Sequence, residues 1–141
     1  MLEIPADLFD AMIGQAQKEA PAECCGLLLG RGSSAVRIFP LRNELNSPIA
    51  YNADARDLFA AHRAMREHRL EITALYHSHP ASEARPSRRD LNENYYGEIP
   101  RIIISLAGAV PVVKAFLLYE DRFQEIECRR LRSTTYRQPT R

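Results

Sequence analysis

The stretch that most limits what this chain can fold into is Tyr76-His77-Ser78-His79-Pro80, which closes the strand-type run Glu71-Ile72-Thr73-Ala74-Leu75-Tyr76. Strand residues two apart project from one face, so a strand carried to its far end throws both imidazoles to one side and Ser78 to the other. Neutral imidazole is the commonest biological metal ligand, and a catalytic zinc site takes three protein ligands and keeps one position open. The fold must therefore deliver a third ligand to this strand end. Pro80 and Pro86 bracket a short loop, after which Ser87 to Glu93 reads as the start of a helix that can swing Asp90 back.

The other elements follow from periodicity and punctuation. Pro5 to Lys18 carries Leu8, Met12, Ile13 and Ala16 at helical spacing, with Pro5 suited to the first turn and Pro21 beyond the end. Ala22 to Arg31 is a continuous apolar run, which predicts a strand buried on both faces. Ala35 to Asn43 returns as its hairpin partner after Gly32-Ser33-Ser34. Asn46 to Asn52 reads as irregular and leads into a helix over Asp54 to His68, with Asp54 or Asp57 at its start. His62 and His68 on that charged helix read as surface residues. Arg101 to Leu106, Val112 to Tyr119 and Arg122 to Cys128 are three more strands, the last two joined at Glu120-Asp121. Helix, hairpin, helix, strand, short helix and strands in that order predict an α+β (mixed α/β) domain rather than alternating βαβ units.

Charge and length exclude several functions. A net charge of +1 does not suit a nucleic-acid binder. No apolar run approaches the ~20 residues of a membrane span, and Met1 to Pro5 lacks the pattern of a signal peptide, so the expected location is the cytoplasm. Of 141 residues, 45% are hydrophobic, enough for one core and not for two domains. Cys24, Cys25 and Cys128 cannot form a disulfide framework, and Cys24-Cys25 inside an apolar stretch reads as small buried hydrophobes. Residues 1–128 are read as the domain. Arg129 to Arg141, with five arginines and no acidic residue, is read as a basic, mobile tail.

Other His-x-His folds do not fit. An amidohydrolase barrel needs about 250 residues. A metallo-β-lactamase site continues with an aspartate and a histidine where Pro80-Ala81-Ser82 stand, and a cupin needs a later histidine that the chain lacks after His79. Spacing alone leaves Ser87 and Asp90 open between two roles, since Ser-x-x-acid at a helix start is also close to a capping box. It also leaves unnamed the carboxylate that hydrolysis needs to take a proton from water and pass it to a leaving amine.

Glu23 in Pro21-Ala22-Glu23-Cys24-Cys25-Gly26-Leu27-Leu28-Leu29-Gly30, His77-x-His79-Pro80, and Ser87-x-x-Asp90 seven residues further on agree in type, order and spacing with one pattern. In these elements and their spacing the chain resembles the JAMM metalloprotease family, also called MPN-plus, from roughly Leu2 to Cys128. The resemblance implies a curved, mostly antiparallel sheet flanked by helices. It implies one zinc per chain held by His77, His79 and Asp90, Glu23 as general acid/base, and Ser87 as hydrogen-bond donor to the developing oxyanion. With only ten residues between Asp90 and Arg101, the chain resembles the compact bacterial branch. The implied activity is a zinc metallopeptidase that hydrolyses a peptide or isopeptide bond after the C-terminal tail of a ubiquitin-like or sulfur-carrier protein. The competing readings are a noncatalytic MPN-type binding module, or a structural metal closed by Cys24 or Cys25.

Overall fold

The computed structural model describes residues 1–94 and 97–132. The described elements are, in order, β1 (Leu2–Ile4), α1 (Ala6–Glu19), β2 (Cys25–Arg31), β3 (Ser34–Leu41), α2 (Ala55–His68), β4 (Glu71–His79), α3 (Arg88–Asn92), β5 (Arg101–Ser105), β6 (Val112–Leu118), β7 (Phe123–Ile126) and β8 (Cys128–Arg130). They form one sheet in the order β7-β6-β5-β4-β2-β3-β1-β8. The pairings β2/β3, β2/β4, β5/β6 and β6/β7 are antiparallel, and β4/β5, β1/β3 and β1/β8 are parallel. The expected α+β architecture, a mostly antiparallel sheet with helices, is what forms.

The continuous apolar run becomes a central strand because both sides of the sheet are covered. Leu28, Ala74, Tyr76, Ile102 and Ile104 pack with Met12 and Ala16 of α1. Leu27, Leu29 and Leu75 pack on the opposite face with Ala61, Leu58 and Met65 of α2. Alternation along β4 puts His77 and His79 on the α2 face with Leu75. Both helices begin and end where local chemistry allows. Pro5 precedes the first turn of α1, and the Asp54 carboxylate caps α2 by accepting from the Arg56 and Asp57 amides at 2.8 and 3.2 Å.

Three boundaries differ from expectation. β1 is a three-residue strand whose partners Cys128–Arg130 lie at the far end of the chain, so no local pattern marks it. β2 begins at Cys25 and β3 ends at Leu41, because the backbone at Glu23 and the side chain of Asn43 bind the 43–53 loop instead of the ladder. Arg129 and Arg130, expected in the tail, belong instead to β8, and the Arg130 guanidinium pairs with Asp10 at 2.9 Å. Residues 133–141, where the rest of that tail was expected, lie outside the described residues. His62 and His68 are exposed, as expected.

Candidate metal centre

His77 and His79 are fixed first by the sheet. β4 continues through both, with His77 opposite Cys25 on β2 and Ile103 on β5, and His79 beside Ser105. Both rings are buried. His79 Nδ1 lies 2.8 Å from the Glu83 carbonyl oxygen, an acceptor only, so Nδ1 carries the proton and donates. Nε2 is thereby left with its lone pair inward. The His77 ring is held differently: Tyr51 stacks on it at 4.9 Å between centroids and 27° between planes, and its Nδ1 is buried with no hydrogen-bond partner among the described residues.

Asp90 arrives from α3. Ser87 Oγ accepts from the Asp90 amide at 3.1 Å while Asp90 Oδ2 accepts from the Ser87 amide at 2.9 Å, a reciprocal cap. That cap aims the carboxylate at the strand end. Asp90 Oδ2 lies 3.3 Å from His77 Nε2 and 3.2 Å from His79 Nε2, and the two Nε2 atoms are 3.2 Å apart. Tetrahedral zinc with bonds of roughly 2.0–2.1 Å has ligand-to-ligand edges of about 3.3 Å. The three atoms thus fit the corners of one zinc site, and two imidazoles with one carboxylate are a donor set that zinc takes. His77, His79 and Asp90 are the metal-capable group among the described residues. Cys25 Sγ instead points to the Leu41 carbonyl, and burial pushes the Cys24 and Cys25 thiols up to about 12. Nothing in this arrangement supports a cysteine closing the site.

Glu23 is brought in from 54 residues away by hydrogen bonds to its own backbone and that of Cys24. The Cys24 amide donates to Ser78 Oγ at 2.8 Å and the Ser78 amide donates to the Cys24 carbonyl at 3.1 Å, which ties the chain next to Glu23 onto the histidine strand. Asn43 Nδ2 donates to the Glu23 carbonyl at 3.0 Å, and the Glu23 amide donates to the Ser47 carbonyl at 2.7 Å. Glu23 is 5% exposed and lines one cavity with Asp90.

Ser78, Asn43 and Tyr51 make these contacts, and sequence reasoning did not single them out. Ser78 had one signal, a polar residue between the two histidines on the opposite, α1-covered face of β4. Asn43 looks like any turn asparagine, and Tyr51 sits in an irregular segment with no period to reveal its partner.

The electrostatics separate the two carboxylates. Burial pushes Glu23 up to about 8, against a smaller opposing pull from His79. Burial also works to raise Asp90, but the hydrogen bonds and charge of His77, with His79 and the Ser87 amide, outweigh it and hold the carboxyl well below the usual range. Burial lowers His77. It works the same way on His79, where Asp90, the Glu83 carbonyl and Glu23 prevail and raise it. The two buried carboxyls are thus shifted in opposite directions, Asp90 towards the ionised form and Glu23 towards the protonated one.

Comparison with known proteins agrees with this geometry. Residues 5–119 match the family described as prokaryotic homologs of the JAB domain. A probable TtuB-protein conjugate cleaving protease of Thermus thermophilus is 38% identical over 123 residues, which cover 86% of this chain and 79% of that one. The CysO-cysteine peptidase of Mycobacterium tuberculosis is 39% identical over 93 residues, 64% of each chain, so the match spans just under two thirds of that relative. The solution structure of a protein from Desulfitobacterium hafniense superimposes with a TM-score of 0.87 at 32% identity, covering 97% of both chains.

Proposed function

The chain belongs to the prokaryotic homologs of the JAB domain, and from that premise we propose that it is a zinc-dependent metallopeptidase acting after the C-terminal tail of a ubiquitin-like or sulfur-carrier protein. The observation that carries the proposal is the convergence of three buried ligand atoms, 3.2 to 3.3 Å apart, on a point beside a buried carboxyl of neutral-range pKa. The relatives named for cleaving a TtuB-protein conjugate and for CysO-cysteine peptidase action support a conjugate as substrate.

His77, His79 and Asp90 hold the metal. Zinc in that position supplies a Lewis acid for the scissile carbonyl and makes water easier to deprotonate. Glu23 takes the proton from the attacking water and gives it to the leaving nitrogen as the carbon–nitrogen bond breaks. Burial raises this carboxyl above the ordinary range in the metal-free fold, and the metal's positive charge opposes that rise, which favours a group that both takes and gives a proton near neutral pH. Ser87 uses an acceptor lone pair for its helix cap, so its O–H proton remains available to the carbonyl oxygen as charge develops there. Glu83 and Tyr51 keep the two imidazoles oriented.

We place the reaction in the cytoplasm. No helix among the described residues is long and apolar enough to cross a membrane. A noncatalytic binding module would have no use for an intact ligand trio with Glu23 beside it. The test is to incubate zinc-loaded and chelated protein with carrier proteins of the source cell, each bearing a C-terminal extension, and to follow intact masses. Loss of the extension only with metal is expected. Intact carriers throughout would overturn the proposal.

A further inference from the structure

Arg101 opens β5 opposite Leu75, two residues before His77, so alternation puts it on the histidine face of the sheet. It is 2% exposed. One N–H donates to Asn94 Oδ1 at 2.8 Å, while Nε is buried with no hydrogen-bond partner among the described residues. No carboxylate among the described residues lies within 4.0 Å of its guanidinium, since the neighbouring acids are engaged elsewhere. Glu93 pairs with Arg89 at 3.1 Å, and Asp90 is held by the two histidines and Ser87. Burying a cation without an anion is costly. Arg101 lines the same cavity, of about 160 Å³, as Glu23 and Asp90. Guanidinium is the side chain that grips a carboxylate through two parallel hydrogen bonds.

We propose that Arg101 binds the free α-carboxylate of the residue on the leaving side of the scissile bond. The enzyme then prefers a carrier tail bearing one amino acid through an ordinary peptide bond over a tail joined to a lysine side chain, where no carboxylate follows the bond. The inference rests on the hydrolytic reading above and names its substrate class. Water's hydroxyl joins the carbonyl carbon, the carbon–nitrogen bond breaks, and water's remaining proton passes through Glu23 to the leaving α-nitrogen. The products are a carrier ending in a carboxylate and a free amino acid, with nothing oxidised or reduced.

Arg101 is a specificity-determining residue, and the test needs no variant to begin. Acetyl-Gly-Gly-Ala and its C-terminal amide are titrated into the zinc-loaded protein by NMR, and the same two termini are placed on a carrier tail for cleavage. The acid is expected to bind roughly 10- to 100-fold more tightly than the amide, the range for a hydrogen bond to a charged group, and to be cleaved faster. Arg101→Gln removes that difference, and Arg101→Lys restores part of it. Equal handling of acid and amide by the wild-type protein overturns the proposal, as does a folded Arg101→Gln that keeps the preference. Selective binding of the acid without cleavage would uphold the carboxylate site while removing the hydrolytic reading, so the two failures are distinguishable.

Discussion

Ser87 and Glu23 are the residues at which a structural and a chemical role can be separated. The cap at Ser87 is real, with both reciprocal bonds formed, and its loss costs ~0.5–2 kcal/mol. Loss of an oxyanion donor lowers turnover ~10²- to 10³-fold. Ser87→Ala is therefore expected to bind zinc, melt within a few degrees of wild type, and turn over far more slowly. An unchanged rate per folded molecule would leave Ser87 a cap only. Glu23 is tested by pH in metal-free protein. Its folded pKa of about 8 exceeds the ordinary 4.5, so the folded state holds this proton where the unfolded state releases it. Stability then falls as pH rises from 4.5 towards 8. Glu23→Gln lacks that loss, and its melting temperature should gain on wild type across that window. Parallel melting curves from pH 4.5 to 8 would show that Glu23 is not held protonated by burial.

At the scale of elements, the site depends on β2 and β4 staying in register while α1 covers their far side. Tyr76 is fully buried and its hydroxyl bonds Gln15 of α1, while its ring lies against Gly26, where an added Cβ would overlap the ring. Gly26→Ala should destabilise by the ~1–3 kcal/mol of overpacking, read as a lower denaturant midpoint with unchanged slope. An unaltered midpoint would mean that α1 yields freely and does not brace the site. The same elements explain what could be read from the chain. β4, α2 and the buried β2 carried strong periods and punctuation, and the two histidines announced their shared face. Asp90 and Glu23 could not be assigned from spacing, because Asp90 is aimed by the Ser87 cap and Glu23 is placed by the Ser78–Cys24 bonds, tertiary contacts that no local pattern shows. It was the combined pattern of a known family that singled them out. β1 stayed hidden because its three residues gain their partners from Cys128–Arg130 and the start of β3.

The whole molecule brings loop, helix and strand ends to one point on one face of an eight-stranded sheet. In the proposed site two ligands come from one strand and one from a capped helix, so a metal bound to the folded form should stabilise the entire domain. The central claim, a hydrolase whose power resides in one metal held by His77, His79 and Asp90 and served by Glu23, is tested by one titration. Chelated wild-type protein receives zinc in steps while cleavage of a C-terminally extended carrier is followed, with Glu23→Gln in parallel. Wild-type activity should rise linearly and level at one zinc per chain. Glu23→Gln should take up the same single zinc and remain ~10²- to 10⁴-fold slower. Full activity before any zinc is added, or an equally active Glu23→Gln, would contradict the account.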